Sequence, residues 1–289
     1  MMRLPIVYWR VRLQKVAPFP VPGTVVMALK PQHRSKDPLS YTVRSYRQQA
    51  STTGLIAAHV LIKETDLHIQ ADRNVQRRAE ELVLQYRLQL EEYIVRYPQF
   101  FSSLSPLPKD FTAPPLIQQM YDAARKAGVG PMAAVAGGIA ESVGRALQQD
   151  GVEEIIIENG GDIFLTRREP SVISIFAGES PLSNKVGIEL LPPGPWGICT
   201  SSGTVGHSLS MGKADSVTVV ARSTHLADAA ATRIGNEVGR VGKDKENVNK
   251  ALSLAGEIEG ITGVVVICGE ILGAVGDVKL VGLEQEVTK

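Results

Sequence analysis

A chain of 289 residues, 44% apolar and 21% charged, has the makeup of a globular protein with a substantial core, in one large domain or two. A net charge of +1 gives no electrostatic footprint for a polyanion, so nucleic acid is not expected as a partner. No apolar run reaches the ~18 residues of a membrane span, and no signal-peptide core opens the chain. Cys199 and Cys268 stand far apart among apolar neighbours, which suits free thiols in a reducing cytoplasm.

Residues 1–40 differ from the rest. Pro5, Pro18, Pro20, Pro22, Pro31 and Pro38 interrupt any long element, and seven basic residues from Arg3 to Lys36 precede the first acidic one, Asp37. This reads as a poorly ordered Pro-rich basic arm. The alternatives are a basic contact arm for a protein partner, or a translation start further on, for instance at Met27.

Residues 41–289 read as a single folded domain. Strands are expected at 41–46 and 54–63, and the polar turn Glu64-Thr65-Asp66 folds the second onto 67–71 as a hairpin. Asn74 is the expected N-cap of an amphipathic helix that Pro98 stops, with Val75, Ala79, Leu82, Val83, Leu90 and Tyr93 on its apolar face. The Pro-rich segment 102–115 is a connection. Pro114 and Pro115 then open a helix that ends at Gly128.

Residues 128–144 spell GVGPMAAVAGGIAESVG, a helix of small residues entered through Gly130 and Pro131. Small side chains allow a ligand or another backbone to come close, and first-turn amides can receive an anion; tight helix packing on a sheet explains the same composition. Gly128, Gly130 and Ala133 imitate a dinucleotide fingerprint, but a helix rather than a strand precedes them. Gly212-Lys213 fails as a phosphate loop, because His207 stands where its leading Gly belongs and Ala214 where its Ser or Thr does.

The strand 153–158 runs through Asn159-Gly160-Gly161-Asp162 into a second strand, 163–166, and reads first as a hairpin turn. A functional reading adds uncovered amides at Gly160 and Gly161 for a phosphate or flavin edge, with Asp162 as polar anchor. After Trp196, Thr200, Ser201 and Ser202 lead into Gly203 as a hydroxyl-rich loop suited to a pyrophosphate or a metal-bound water. Its bland alternative is a polar cap on the next strand. His207, between Gly206 and Ser208, is a candidate acid or base.

A strand at 216–221 is followed by a helix capped by Ser223 or Thr224. On it Asp228 and Thr232 stand at i and i+4, sharing one face. A carboxylate, a hydroxyl and nearby carbonyls make an oxygen-only set that suits Mg²⁺ rather than zinc. Gly235-Asn236 is expected to end this helix, 242–250 to be a surface connection, and 263–268 with 271–275 to form a last hairpin.

In order and spacing, the strings Asn159-Gly160-Gly161-Asp162, Thr200-Ser201-Ser202-Gly203, the strand 216–221 and Ala227-Asp228-Ala229-Ala230-Ala231-Thr232 resemble the ApbE superfamily. The likeness is strongest over residues 130–239 and closest to an uncharacterised branch of it. Members of the superfamily are flavin transferases that bind FAD with Mg²⁺ and move FMN onto a Thr or Ser of a target protein.

The resemblance implies an α+β fold with largely antiparallel sheets and packed helices, FAD or FMN as nucleotide, and Mg²⁺ held by Asp228, Thr232 and the carbonyl of Ala136. It implies His207 as catalytic residue. The free thiols point to a cytoplasmic protein, and a homodimer is compatible with the chain without being indicated by it. The transferases' Asp-Pro-x-Thr-Gly is absent after His207, and the Lys of their Gly-Gly-Ile-Ala-Lys-Gly string is missing, with Gly137 or Gly138 in its place. Two functions therefore stand side by side: Mg²⁺-dependent group transfer or phosphoester chemistry on a flavin nucleotide or related phosphorylated ligand, and a non-catalytic accessory protein, the branch's link being to sulfide or homocysteine assimilation.

Overall fold

The computed structural model describes residues 7–9, 54–202, 214–238 and 244–283. The expected strand 41–46, most of the expected arm, Gly203 and His207 lie outside the described residues. Within the expected arm, Val7–Trp9 form strand β1, which pairs with a strand near the other end of the chain.

Strands β2 (Ile56–Ile62) and β3 (Thr65–Ala71) make the expected hairpin, in register from Ile62↔Thr65 to Ile56↔Ala71. Helix α1 (Gln76–Arg96) buries Ala79, Leu82, Val83, Leu90 and Tyr93, the face that periodicity marks. Its N-cap is Val75, one residue beyond the expected Asn74, whose Oδ1 instead accepts the Gln76 amide at 3.0 Å. The Gln76 side chain also covers the free edge of β2: its amide donates to the His59 carbonyl at 2.8 Å and its Oε1 accepts the His59 amide at 3.0 Å.

A short helix, α2 (Pro98–Ser102), precedes the Pro-rich connection, and α3 (Pro115–Ala127) closes on Gly128, whose φ of 74° lies in the left-handed region that ends helices. A 3₁₀ turn at Pro131–Ala134 feeds α4 (Val135–Gln149). Strands β4 (Ile155–Asn159) and β5 (Asp162–Thr166) follow; Gly160 and Gly161, at φ 72° and 110°, supply the two positive φ angles of a two-residue hairpin turn.

Then come β6 (Ser171–Ser174), β7 (Val186–Leu190), β8 (Trp196–Ser201), β9 (Ser216–Ala221), α5 (Thr224–Glu237), α6 (Asp244–Ala255), β10 (Ile261–Cys268), β11 (Ile271–Gly276) and β12 (Lys279–Gly282). Helix α5 outruns its expected end at Gly235-Asn236. The expected surface connection 242–250 is largely α6, which packs on β10 and β11 with Val248, Ala251, Leu252 and Ala255 buried.

Among the described residues, one sheet runs β1-β11-β10-β9-β8-β5-β4-β3-β2 and a second β12-β7-β6, every pairing antiparallel, so the α+β fold with largely antiparallel sheets is as expected. Helices cover one face of the large sheet. On the other, Ile156, Ile163, Leu165, Ile198, Val220 and Val265 form one core with Ile173, Ile188 and Leu190 of the small sheet. Strand β9 is buried on both faces, which is why its sequence is almost continuously apolar or β-branched. No helix among the described residues is long and apolar enough to cross a membrane.

Candidate functional site

The small-residue segment is first a packing device. A Cβ at Gly130 would stand 1.8 Å from the Ser103 carbonyl oxygen, and one at Gly144 2.3 Å from the Phe164 ring. At Gly138 it would meet the His225 ring at 2.9 Å, and at Gly137 the Thr224 carbonyl oxygen at 2.6 Å and Asp228 Cβ at 2.9 Å. Helices α4 and α5 therefore touch almost backbone to backbone, and that closeness builds the site. The Gly137 amide, in the first turn of α4, donates to Asp228 Oδ2 at 2.9 Å, so the anion that the helix N-terminus receives comes from within the chain.

The carbonyl next to that amide, on Ala136, accepts the Asn159 side-chain amide at 2.9 Å. Asn159 and Asp162 are cross-strand partners flanking the β4–β5 turn, and Asp162 is opposite Cys199 of β8, so all three project toward α4 and α5. Burial and the neighbouring charge of Asp162 hold the Asp228 carboxyl well above the usual carboxylate range, against the pull of the Gly137 and Ala136 amides. Burial, with the charges of Asp162 and Asp228, likewise pushes the Cys199 thiol up; this thiol donates to the Thr224 carbonyl at 3.6 Å. Asp162, Asp228 and Thr232 are each partly exposed.

The structure thus gathers Ala136, Asn159, Asp162 and Asp228, with Thr232 one turn beyond Asp228 on α5. The charge that acts on Asp228 is a second carboxylate, the arrangement a cation relieves. Among the described residues no three His, Cys, Asp or Glu side chains form a metal-holding group. A cation here would draw on the Ala136 carbonyl, which has a second lone pair, and the Thr232 hydroxyl beside the carboxylates: oxygen donors of the kind magnesium takes.

The hydroxyl cluster is divided. Thr200 and Ser201 belong to strand β8 rather than to a loop, so their side chains point to opposite faces. Thr200 Oγ1 pairs with Thr218 Oγ1 at 2.9 Å on the face turned away from the helices, while Ser201, in step with Cys199, shares the Asp162 face. Ser202 follows the strand and is partly exposed. Gly160 and Gly161 form the turn beside the site, a Cβ at Gly161 lying 3.8 Å from the Thr200 carbonyl oxygen.

Sequence reasoning missed Glu141 and His225, exposed by only 3% and 1%. Glu141 Oε2 accepts from the Thr224 amide at 2.6 Å, the His225 amide at 3.3 Å and the Ser223 hydroxyl at 3.2 Å, and meets His225 Nδ1 at 2.9 Å. Its Oε1 accepts Arg145 Nε at 2.7 Å. Burial alone would raise this carboxyl, but the His225 hydrogen bond and charge and Arg145 outweigh it and hold the pKa at about 2. Gly137-Gly138-Ile139-Ala140 itself reads Gly-Gly-Ile-Ala, so the residue standing in the place of the transferases' Lys is Glu141, not a glycine. A cleft of about 270 Å³ opens beside it, walled by Gln119, Lys126, Arg145 and Ser223.

Fold and site define an antiparallel α+β protein with a carboxylate pair where two tightly packed helices meet a hairpin turn. Residues 47–279 match the family model described as AbpE bacteria, and the chain belongs to that ApbE-like family. It is similar to the UPF0280 protein of Methanococcus aeolicus, 38% identical over 240 residues that cover 81% of this chain and 96% of that protein. The UPF0280 protein of Methanocaldococcus jannaschii is 41% identical over 234 residues, covering 79% and 94%. Among solved structures it is similar to the Pseudomonas stutzeri flavinyl transferase ApbE in its apo form, 16% identical, covering 77% of this chain and 95% of that one, with a TM-score of 0.47. Membership rests on the sequence matches.

Proposed function

We propose that the protein binds a flavin nucleotide, FAD or FMN, or a related phosphorylated ligand together with Mg²⁺, where the N-terminus of α4, the β4–β5 turn and α5 converge. The observation that carries this reading is the placement of Asp162, from the β4–β5 turn, and Asp228, bound to the Gly137 amide, on the same side of the sheet beside the Ala136 carbonyl, with the charge of one acting on the other. Family membership supports the nucleotide. Asp228 and Thr232 would hold the metal from α5, the Ala136 carbonyl from α4 and Asp162 from the turn.

When bound, Mg²⁺ supplies positive charge against phosphoryl oxygens. The chain's own residues prepare that place. Asn159 aims the Ala136 carbonyl, the Gly137 amide orients the Asp228 carboxylate, and the thiol of Cys199, protonated by its surroundings, leaves the oxygens as the charged donors. His207, outside the described residues, keeps the role its resemblance gives it, assisting proton transfer.

A second reading, an accessory protein that binds ligand without turning it over, is favoured by Glu141. In the transferases' string a Lys holds that position, and here the carboxylate is engaged by the start of α5 through one oxygen and by Arg145 through the other. Native mass spectrometry of the protein with and without Mg²⁺ and FAD tests both readings. A Mg²⁺-dependent FAD adduct lost in Asp228→Ala is expected. AMP release from FAD marks the enzyme, a stable adduct without AMP the accessory protein, and FAD binding unchanged in Asp228→Ala overturns the site.

A further inference from the structure

We infer that Glu141 is a positioning residue for this site: by seating the first turn of α5 on α4, it sets the register that brings Asp228 to the Ala136–Gly137 peptide. The inference rests on reading that junction as the cation and ligand site.

Hydrogen bonds join the two helices at two places. Glu141 of α4 meets Thr224 of α5, and Gly137 of α4 meets Asp228 of α5. Each pair of positions is four residues apart, so the contacts lie one turn apart on both helices, which run in opposite directions past each other. A slip at the first contact is therefore passed to the second. On the face of α4 that carries these contacts, Gly137 and Gly138 lie against Thr224, Asp228 and the His225 ring with no side chain of their own to interlock with α5. Bare glycines permit the approach without fixing its register.

Glu141 supplies what they lack. A single buried carboxylate oxygen gathers two successive backbone amides, the Ser223 hydroxyl and His225 Nδ1, while Arg145 from the next turn of α4 steadies the other oxygen. Ser223 joins the same network as N-cap, its hydroxyl accepting from the Leu226 amide at 3.4 Å. Residues 223–225 are thus tied to one acid, and Leu226 to it through Ser223; the next turn presents Asp228.

The test uses the whole chain and titrates Mn²⁺, read by the electron paramagnetic resonance signal of the free ion, with Mg²⁺ as competitor and a thermal melt alongside. Glu141→Gln keeps the shape but turns an amide toward Arg145. Its Mn²⁺ Kd is expected to rise about 10-fold or more, as for partners that orient a metal ligand. Ile188→Val, a core change under the opposite face of the sheet, lowers stability without touching α4 or α5 and is expected to leave Kd unchanged.

Wild-type binding with Glu141→Gln at the wild-type Kd overturns the inference and leaves the site standing. So does an equal rise in Kd in both variants, since that would follow stability alone. Absence of wild-type Mn²⁺ binding overturns the site and the inference with it. Should Glu141→Gln not fold, Ser223→Ala is read in the same way, and an unchanged Kd there also overturns the inference.

Discussion

Replacing Asp228 by Asn separates what the site does from what it costs. The amide keeps an oxygen for the Gly137 N–H at 2.9 Å, fills the same space and removes one of two neighbouring carboxylates. Asp228 is held above its usual range, so the folded chain binds its proton better than the unfolded chain does. Stability is therefore greatest below the unfolded pKa and is lost as pH rises through the folded one. In a partly open, solvent-screened site the relief in Asp228→Asn should be about 1–2 kcal/mol at neutral pH, raising Tm by about 2–3 °C in metal-free buffer. The assay is a set of melts across pH with chelator, repeated with Mg²⁺. Wild-type Tm should fall as pH rises through the titration and recover with Mg²⁺, while the variant shows neither effect. A variant less stable than wild type in chelator, with the Mg²⁺ response intact, would refute the argument.

Three further outcomes are expected. Gly144→Ala puts a methyl within 2.4 Å of two Phe164 ring carbons, and an overpacking cost of about 1–3 kcal/mol should exceed the ~1 kcal/mol of helix propensity gained; a higher midpoint in urea would contradict this. Glu141, held at about 2 against a usual 4.5, contributes about 3 kcal/mol that is present above pH 4.5 and lost as pH falls toward 2, so Glu141→Gln should flatten the acid limb of stability in that window. Gln76→Ala bares the His59 N–H and C=O on the edge of β2, an uncharged strand reading IAAHVLI, and light scattering on mild heating should show faster aggregation than for wild type.

The sequence was most legible where local chemistry and tertiary environment agree. The β2–β3 hairpin, the Gly160-Gly161 turn, β9 and the Ser223-capped start of α5 all carry their signals in neighbouring residues. Helix α6 was hidden by its charged opening, although Val248, Ala251, Leu252 and Ala255 repeat at i, i+3, i+4 and i+7. Reading Thr200 and Ser201 as loop discarded the alternation that sends them to opposite faces. Strands β6, β7 and β12 are short, and their pairing is set by the sheet they pack beneath. Locally Glu141 shows only the i,i+4 pairing with Arg145 of an ordinary helix face, because its other partners lie 82 to 84 residues further on. The same holds for the Asp162–Asp228 pair, which only the meeting of a hairpin and a helix creates.

The account stands most directly on whether that pair takes a divalent cation. Calorimetric titration of Mg²⁺ into metal-free protein, wild type against Asp228→Ala, measures it. One saturable site per chain in the wild type and none in the variant is the predicted result; equal binding in both, or no binding in the wild type, would contradict it.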